Sequence, residues 1–229
     1  MATGIARNAG YRTATDGQEV SSFAVNKRQE LIVVDFWTQL VLEGRMFHIQ
    51  LGTENAPVNT TAVPDDILVW CLVDGQAGTT IIPSFVDITL TTFANTAVTG
   101  DAMLEIDRAK NRYTSGGTAY VPENLRTDRP RASNAAAYVW STDIVASAKT
   151  AVPGSIEIAR KKLFDAAPTT TNEPSDFLAN LRPLYTVATQ PAVAIVGVGS
   201  MIIHAGCATA DTYLYGMAQW AELPTSAVI

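Results

Sequence analysis

Apolar and polar residues trade places with a two-residue period over most of this chain. Leu31, Val33, Asp35 and Trp37 alternate with Ile32, Val34, Phe36 and Thr38, and the run continues through Leu40, Val41 and Leu42 to Gly44. Successive strand side chains point to opposite faces, so a strand is favoured here, although residues 36–42 fit a short helix equally well. After Gly44-Arg45, residues 46–51 read as the next strand, and 67–73 as a compact apolar strand closed by the turn dipeptide Asp74-Gly75. In residues 79–93, Phe85, Asp87, Thr89 and Thr91 hold one parity while Val86, Ile88, Leu90 and Thr92 hold the other, the pattern of a half-buried strand. Pro83 has no N–H to give a ladder, so it marks an edge, a bulge or the true start of that strand.

Residues 102–108 alternate again, and a polar stretch follows from 109 to 134, punctuated by Ser115-Gly116-Gly117, Pro122 and Pro130. It reads as a loop excursion, hairpin-like around Ala119, Tyr120 and Val121. A connection beyond about 12–15 residues is uncommon in a compact β domain unless it makes contacts. Further strands are expected at 137–141, 155–159, 184–188, 192–207 and 213–223, with a Thr-, Pro- and Asn-rich connection over 165–183 that holds one helical turn near Ser175, Asp176, Phe177 and Leu178. About nine or ten short strands with almost no helix predict an all-β sandwich or barrel with Greek-key connections, and a jelly-roll-like β-sandwich is the expected form. Residues 1–28 lack any sustained apolar period and read as a flexible N-terminal arm. Residues 29–229 read as one jelly-roll-like β domain carrying the excursion at 109–134.

Composition sharpens this picture. Hydrophobic residues make up 47% of the chain and charged ones only 17%, which suits a protein whose surface is partly covered by partners. The net charge of -6 removes any general attraction to phosphate backbones, so nucleic acid is not the expected ligand. Cys71 and Cys207 both lie in apolar strand patterns, where a thiol packs as a small hydrophobe and a reduced place of synthesis is expected. No signal-peptide pattern opens the sequence, and the apolar run 191–203 falls short of the roughly 20 residues of a membrane helix.

A search for chemistry finds little. His48 and His204 are isolated in strand patterns and read as packed or interfacial side chains. Asp65-Asp66 ends a loop without the further oxygen ligands that calcium needs, and Glu105 and Asp107 read as the solvated face of a strand. Gly197-Val198-Gly199-Ser200 lacks the remainder of a phosphate loop and reads as strand glycines at a close backbone approach. Neither a nucleophile elbow nor a zinc-binding template occurs, so no catalytic, cofactor or metal residue is expected and the chain reads as non-enzymatic. The excursion is basic, Arg108, Lys110, Arg112, Arg126, Arg129 and Arg131 outnumbering its acids. The candidate partner-binding residues are therefore Arg7, Tyr11 and Arg12 of the arm with Arg108, Arg112, Arg126, Arg129 and Arg131 of the excursion.

Two stretches carry a resemblance. Residues 31–48, an aromatic-rich apolar run leading to Glu43, Gly44-Arg45 and Phe47, and residues 193–223, a Gly-punctuated strand followed by Met217-Ala218-Gln219-Trp220-Ala221-Glu222-Leu223, resemble the opening and the last hairpin of a family of tailed-phage virion proteins. The resemblance implies a bacteriophage capsid cement or decoration protein, made in the bacterial cytoplasm and carried on the capsid surface of the virion. Its partners would be the major capsid protein and copies of itself as a homotrimer, with no direct nucleic acid and no membrane. The alternative is a tail or head fibre module that binds receptor, with Tyr113, Tyr120 and Tyr138 stacking on sugars. A jelly-roll enzyme and a major capsid protein are further readings of the same fold.

Overall fold

A computed structural model describes residues 35–60, 68–93, 99–128, 130–146, 155–165, 183–207 and 212–227. The arm at 1–28, the acidic pair Asp65-Asp66 and the helical turn near Ser175 lie outside the described residues.

The first described element is a helix, α1 (Phe36–Leu42), so over these residues the helical alternative holds and not the favoured strand. Asp35 decides this locally. As N-cap its carboxylate accepts the N–H groups of Trp37 and Thr38, each at 3.0 Å, and it also binds the Thr38 hydroxyl. Those bonds satisfy donors that an opening helical turn leaves without partners. Gly44, at φ 67°, then turns the chain out of the helix.

Among the described residues fourteen strands follow: β1 (Met46–Leu51), β2 (Val58–Thr60), β3 (Leu68–Gly75), β4 (Thr79–Phe93), β5 (Thr99–Asp107), β6 (Tyr113–Ser115), β7 (Thr118–Tyr120), β8 (Glu123–Asn124), β9 (Ala136–Ala146), β10 (Ser155–Asp165), β11 (Tyr185–Thr186), β12 (Ile195–Val196), β13 (Gly199–Cys207) and β14 (Thr212–Pro224). They build two sheets in which every pairing is antiparallel, so the fold is all-β with one short α-helix among the described residues. The first sheet runs β11-β4-β14-β1-β8, with β12 also on β4 and β2 on β14. The second runs β10-β5-β13-β3-β9-β6, with β7 also on β9.

The pairing is nested. β1 pairs with β14, β3 with β13, β4 with β11 and β12, and β5 with β10. Early strands thus find late partners, and the innermost pair, β5 and β10, encloses an insert, residues 108–154. Within it β9 extends the second sheet beside β3, β6 and β7 lie one after the other along β9, and β8 crosses to the first sheet beside β1. The expected excursion therefore folds as sheet edge, and β7 pairs with β9 instead of closing a hairpin of its own.

Alternation sets what is buried. Phe47, Ile49, Val86, Ile88, Leu104, Ile106, Ile203 and Trp220 point between the sheets, where Phe47 and Trp220 stack with ring centroids 6.4 Å apart. Gly216 fits this layer because a Cβ there would sit 2.3 Å from the Asp87 carbonyl oxygen and 2.9 Å from the Trp70 ring. Cys71 is a free, buried thiol of the same core, and burial pushes its pKa far up, as expected of a packing cysteine. Pro83 does fall at a bulge: the ladder to β14 shifts register between Gln219 and Trp220, the partners of Phe85 and Pro83. Asp74-Gly75 is no turn, however. Both residues stay in β3, opposite Ser200 and Gly199, and the chain reverses at 76–78, where Thr79 N–H bonds to the Gln76 carbonyl and Gly78 has φ 83°. Among the described residues no helix is long and apolar enough to cross a membrane.

Candidate functional site

The outward face of the second sheet holds an unexpected concentration of charge. Asp74 of β3, Ser200 of β13, Asp107 of β5 and Ser155 of β10 lie in register across four strands. One step along the same face stands Glu105, opposite Ile202, and beyond Ile202 on β13 stands His204. The solvated face expected for Glu105 and Asp107 is absent, because both are 0% exposed.

The chain after β5 covers them. Asp107 Oδ1 accepts the N–H groups of Ala109 and Lys110 at 2.9 and 3.2 Å, which bends residues 108–112 back over the sheet. Arg112 then enters the face. Its N–H donates to Ser200 Oγ at 2.8 Å, and Ser200 Oγ donates to Asp74 Oδ1 at 2.5 Å. Its guanidinium meets Glu105 Oε1 at 2.5 Å and Ser155 Oγ at 3.4 Å, with both charged side chains fully buried. His204 Nε2 lies 3.6 Å from the other Glu105 oxygen. Asn111 Oδ1 accepts the Gly199 N–H at 3.0 Å. A Cβ on Gly199 would be 2.5 Å from the Asp107 carbonyl oxygen, so this glycine does mark a close approach.

The far end of the 109–134 excursion is held in the same way. Glu222 of β14 is 1% exposed. Its carboxylate accepts from the Ser133 hydroxyl, from Asn134 N–H at 2.8 Å, from Ala135 N–H at 3.4 Å and from Trp220 Nε1 at 3.1 Å. A buried carboxylate bonded this way anchors backbone that would otherwise move freely.

Burial holds the Asp74 carboxyl above the ordinary range, against the Ser200 hydroxyl and the N–H groups of Arg112 and Tyr113, which pull it down. A carboxyl raised in the fold binds its proton more tightly there than in the unfolded chain. The stability linked to it is therefore complete below the unfolded value and lost as pH rises through the folded one. Asp74→Asn keeps an acceptor for Ser200 and removes the buried charge, so unfolding in urea should show no loss of stability at pH about 8 and a flatter slope on the acid side. A clear loss at that pH would mean that the charge itself is needed.

The predicted partner-binding residues divide. Arg7, Tyr11, Arg12 and Arg129 lie outside the described residues. Arg112 is corrected: a guanidinium buried on Glu105 cannot also meet a partner. Arg126 is half-exposed, spanning Asp128 in two bonds at 2.7 and 3.1 Å and reaching the Leu42 carbonyl at the end of α1. Arg108 and Arg131 are exposed. The insert also brings exposed Val121 to the β1–β8 side of the molecule, and α1 presents exposed Phe36 and Leu42. The tyrosines suggested for sugar stacking are half-buried: Tyr113 and Tyr138 lie face to face at 3.5 Å, and Tyr120 packs against the core. Among the described residues no group of three or more His, Cys, Asp or Glu side chains could hold a metal ion.

No family model, curated protein or solved structure matches the chain.

Proposed function

We propose that the chain is a bacteriophage capsid cement or decoration protein with a jelly-roll fold, acting through contact area with major capsid subunits and with copies of itself. Nested antiparallel pairing supports the jelly roll. Once the insert and the short β2, which joins β14, are set aside, β1 meets β14, β3 meets β13, β4 meets β11 and β12, and β5 meets β10, which is how a long two-stranded ribbon wraps into two facing sheets. The function rests on the surface around α1. Phe36 and Leu42 are exposed there at 49% and 58%, Arg126 is fixed against the helix end, and residues 1–34 lead directly into it. Exposed apolar side chains beside a held arginine are what a contact surface uses, since water-excluding anchors contribute most of the affinity and charges set the orientation.

A variant lacking residues 1–28 tests the reading. It should unfold with the same cooperativity as the full chain and lose about tenfold or more in binding to heads stripped of this protein, because one of several linked contacts is gone. Undiminished attachment would remove the arm from the proposal, and full-length protein that never binds heads would remove the proposal itself.

A further inference from the structure

Residues 108–113 form a strap across the outer face of the second sheet, held at its start by Asp107 and further on by Ser200 and Glu105. Its last residue, Tyr113, opens β6 opposite Ala146 of β9 and lays its ring on Tyr138 of that same strand. The ring planes are 4° from parallel and the centroids 3.5 Å apart. Aromatic pairs left to themselves sit offset or edge-on with centroids about 4.5–7 Å apart, because stacked π-faces repel. The surroundings impose the closer arrangement. Val69, Leu72, Ile144, Ala146 and Ile202 form an apolar bed against which both rings pack, and the Tyr113 hydroxyl donates to the Gly116 carbonyl at 3.0 Å. Carbons of one phenol ring therefore meet those of the other at van der Waals contact, about 3.5–4.0 Å. The carbons ortho to the two phenol oxygens are already within a ring's breadth of each other.

We propose that Tyr113 and Tyr138 are a site of oxidative cross-linking, joined as dityrosine by two equivalents of a one-electron oxidant such as the peroxide-charged haem of a peroxidase. Each ring gives up one electron and its phenolic proton. The two phenoxyl radicals join through a carbon ortho to each oxygen, and the hydrogens on those carbons move to the oxygens, restoring both phenols. One carbon–carbon bond forms, two hydrogens are lost, and with hydrogen peroxide as the final acceptor the two electrons and two protons yield two waters. Both rings are half-buried, so the protons have a way to solvent. Burial, with Tyr113 and Asp74 beside it, holds the Tyr138 phenol above its ordinary range, so the neutral phenol reacts and its electron leaves with its proton. The bond closes residues 113–138 into a loop, which restricts the unfolded chain and fastens the strap over the buried Glu105 and Asp107. None of this rests on the function proposed above.

Illumination of the purified, dilute full-length chain with tris(bipyridyl)ruthenium and persulfate, which take single electrons from tyrosine, reads the site. The expected product is a single chain two hydrogens lighter, with the fluorescence of dityrosine and with tryptic peptides 113–126 and 132–149 joined. Tyr113→Phe and Tyr138→Phe should each abolish it. Tyr120→Phe should leave it in place, although Tyr120 shares a peptide with Tyr113 and pairs with Ala137, the neighbour of Tyr138. Phenylalanine keeps the ring and its packing, and cooperative thermal unfolding of each variant establishes that it is folded. In the linked chain, amide exchange at residues 109–113 should slow by about tenfold or more, since the strap can no longer lift away. Loss of tyrosine without the joined peptides, links only between chains, a product that survives Tyr113→Phe, or strap exchange unaltered by the link would each overturn the inference.

Discussion

Arg112→Met is expected to lower the free energy of unfolding by about 3–5 kcal/mol, because it leaves the fully buried carboxylate of Glu105 without its guanidinium. A domain of ordinary stability has only about 5–15 kcal/mol in total, so the variant should approach the limit of folding. The loss comes from stranding one charge, not from an intrinsic strength of the pair. Taking both charges away, in Arg112→Met with Glu105→Met, should therefore recover most of it. Urea titrations of the two variants decide the matter. A single variant within about 1 kcal/mol of wild type would mean that water reaches the cluster and that burial of the pair is not its governing feature.

Glu222→Ala should produce the second large effect, about 2–4 kcal/mol, by leaving the Asn134 N–H and the Trp220 indole N–H without their acceptor and removing the carboxylate that receives the Ser133 hydroxyl. It also carries a signature that general destabilisation lacks. Amide exchange should rise first at residues 133–135 and through the insert, while β4 and the centre of β14 keep the protection of the global fold. Uniform acceleration over both sheets would contradict the view that Glu222 holds the far end of the 109–134 excursion. Together with the Arg112 variant, this tests whether the two ends are fastened independently.

Much of the sheet architecture was legible, since a two-residue period places β1, β4, β5 and β14 to within a few residues and gives the buried parity of β4, whereas β10 runs six residues past the expected 155–159 through two register shifts. Pro83 was legible as an interruption for a chemical reason, its missing N–H. The helix at 36–42 was not favoured, because alternation is a statement about faces, whereas Asp35 and Thr38 settle the local backbone through cap hydrogen bonds. Asp74-Gly75 misled because a turn-prone dipeptide continues a strand when each residue has a partner across the ladder.

The buried cluster was missed for a deeper reason. Alternation tells which side chains leave the core, and the outward positions of a sheet usually meet water. Here a later segment covers them, so Glu105 and Asp107 are outward and dry at once. The signal was present in scattered form: Asp74, Glu105, Asp107, Ser200 and His204 all take the outward parity of their strands, and Arg112 follows Asp107 closely. Recognising them as neighbours required the pairing of β3, β13 and β5, which no single stretch of sequence contains. Glu222 was hidden likewise, its partners lying 87 to 89 residues earlier.

The place of β14 between β4 and β1 has a consequence for synthesis. It is the last described strand to leave the ribosome, yet it fills the middle of its sheet. Until it emerges, β1 and β4 have neither ladder partner nor neighbour on that side, and their apolar edges stand open to self-association. Contacts joining opposite ends of a chain form slowly. Newly made protein should therefore pass through an interval of chaperone dependence, ended by the arrival of its final strand.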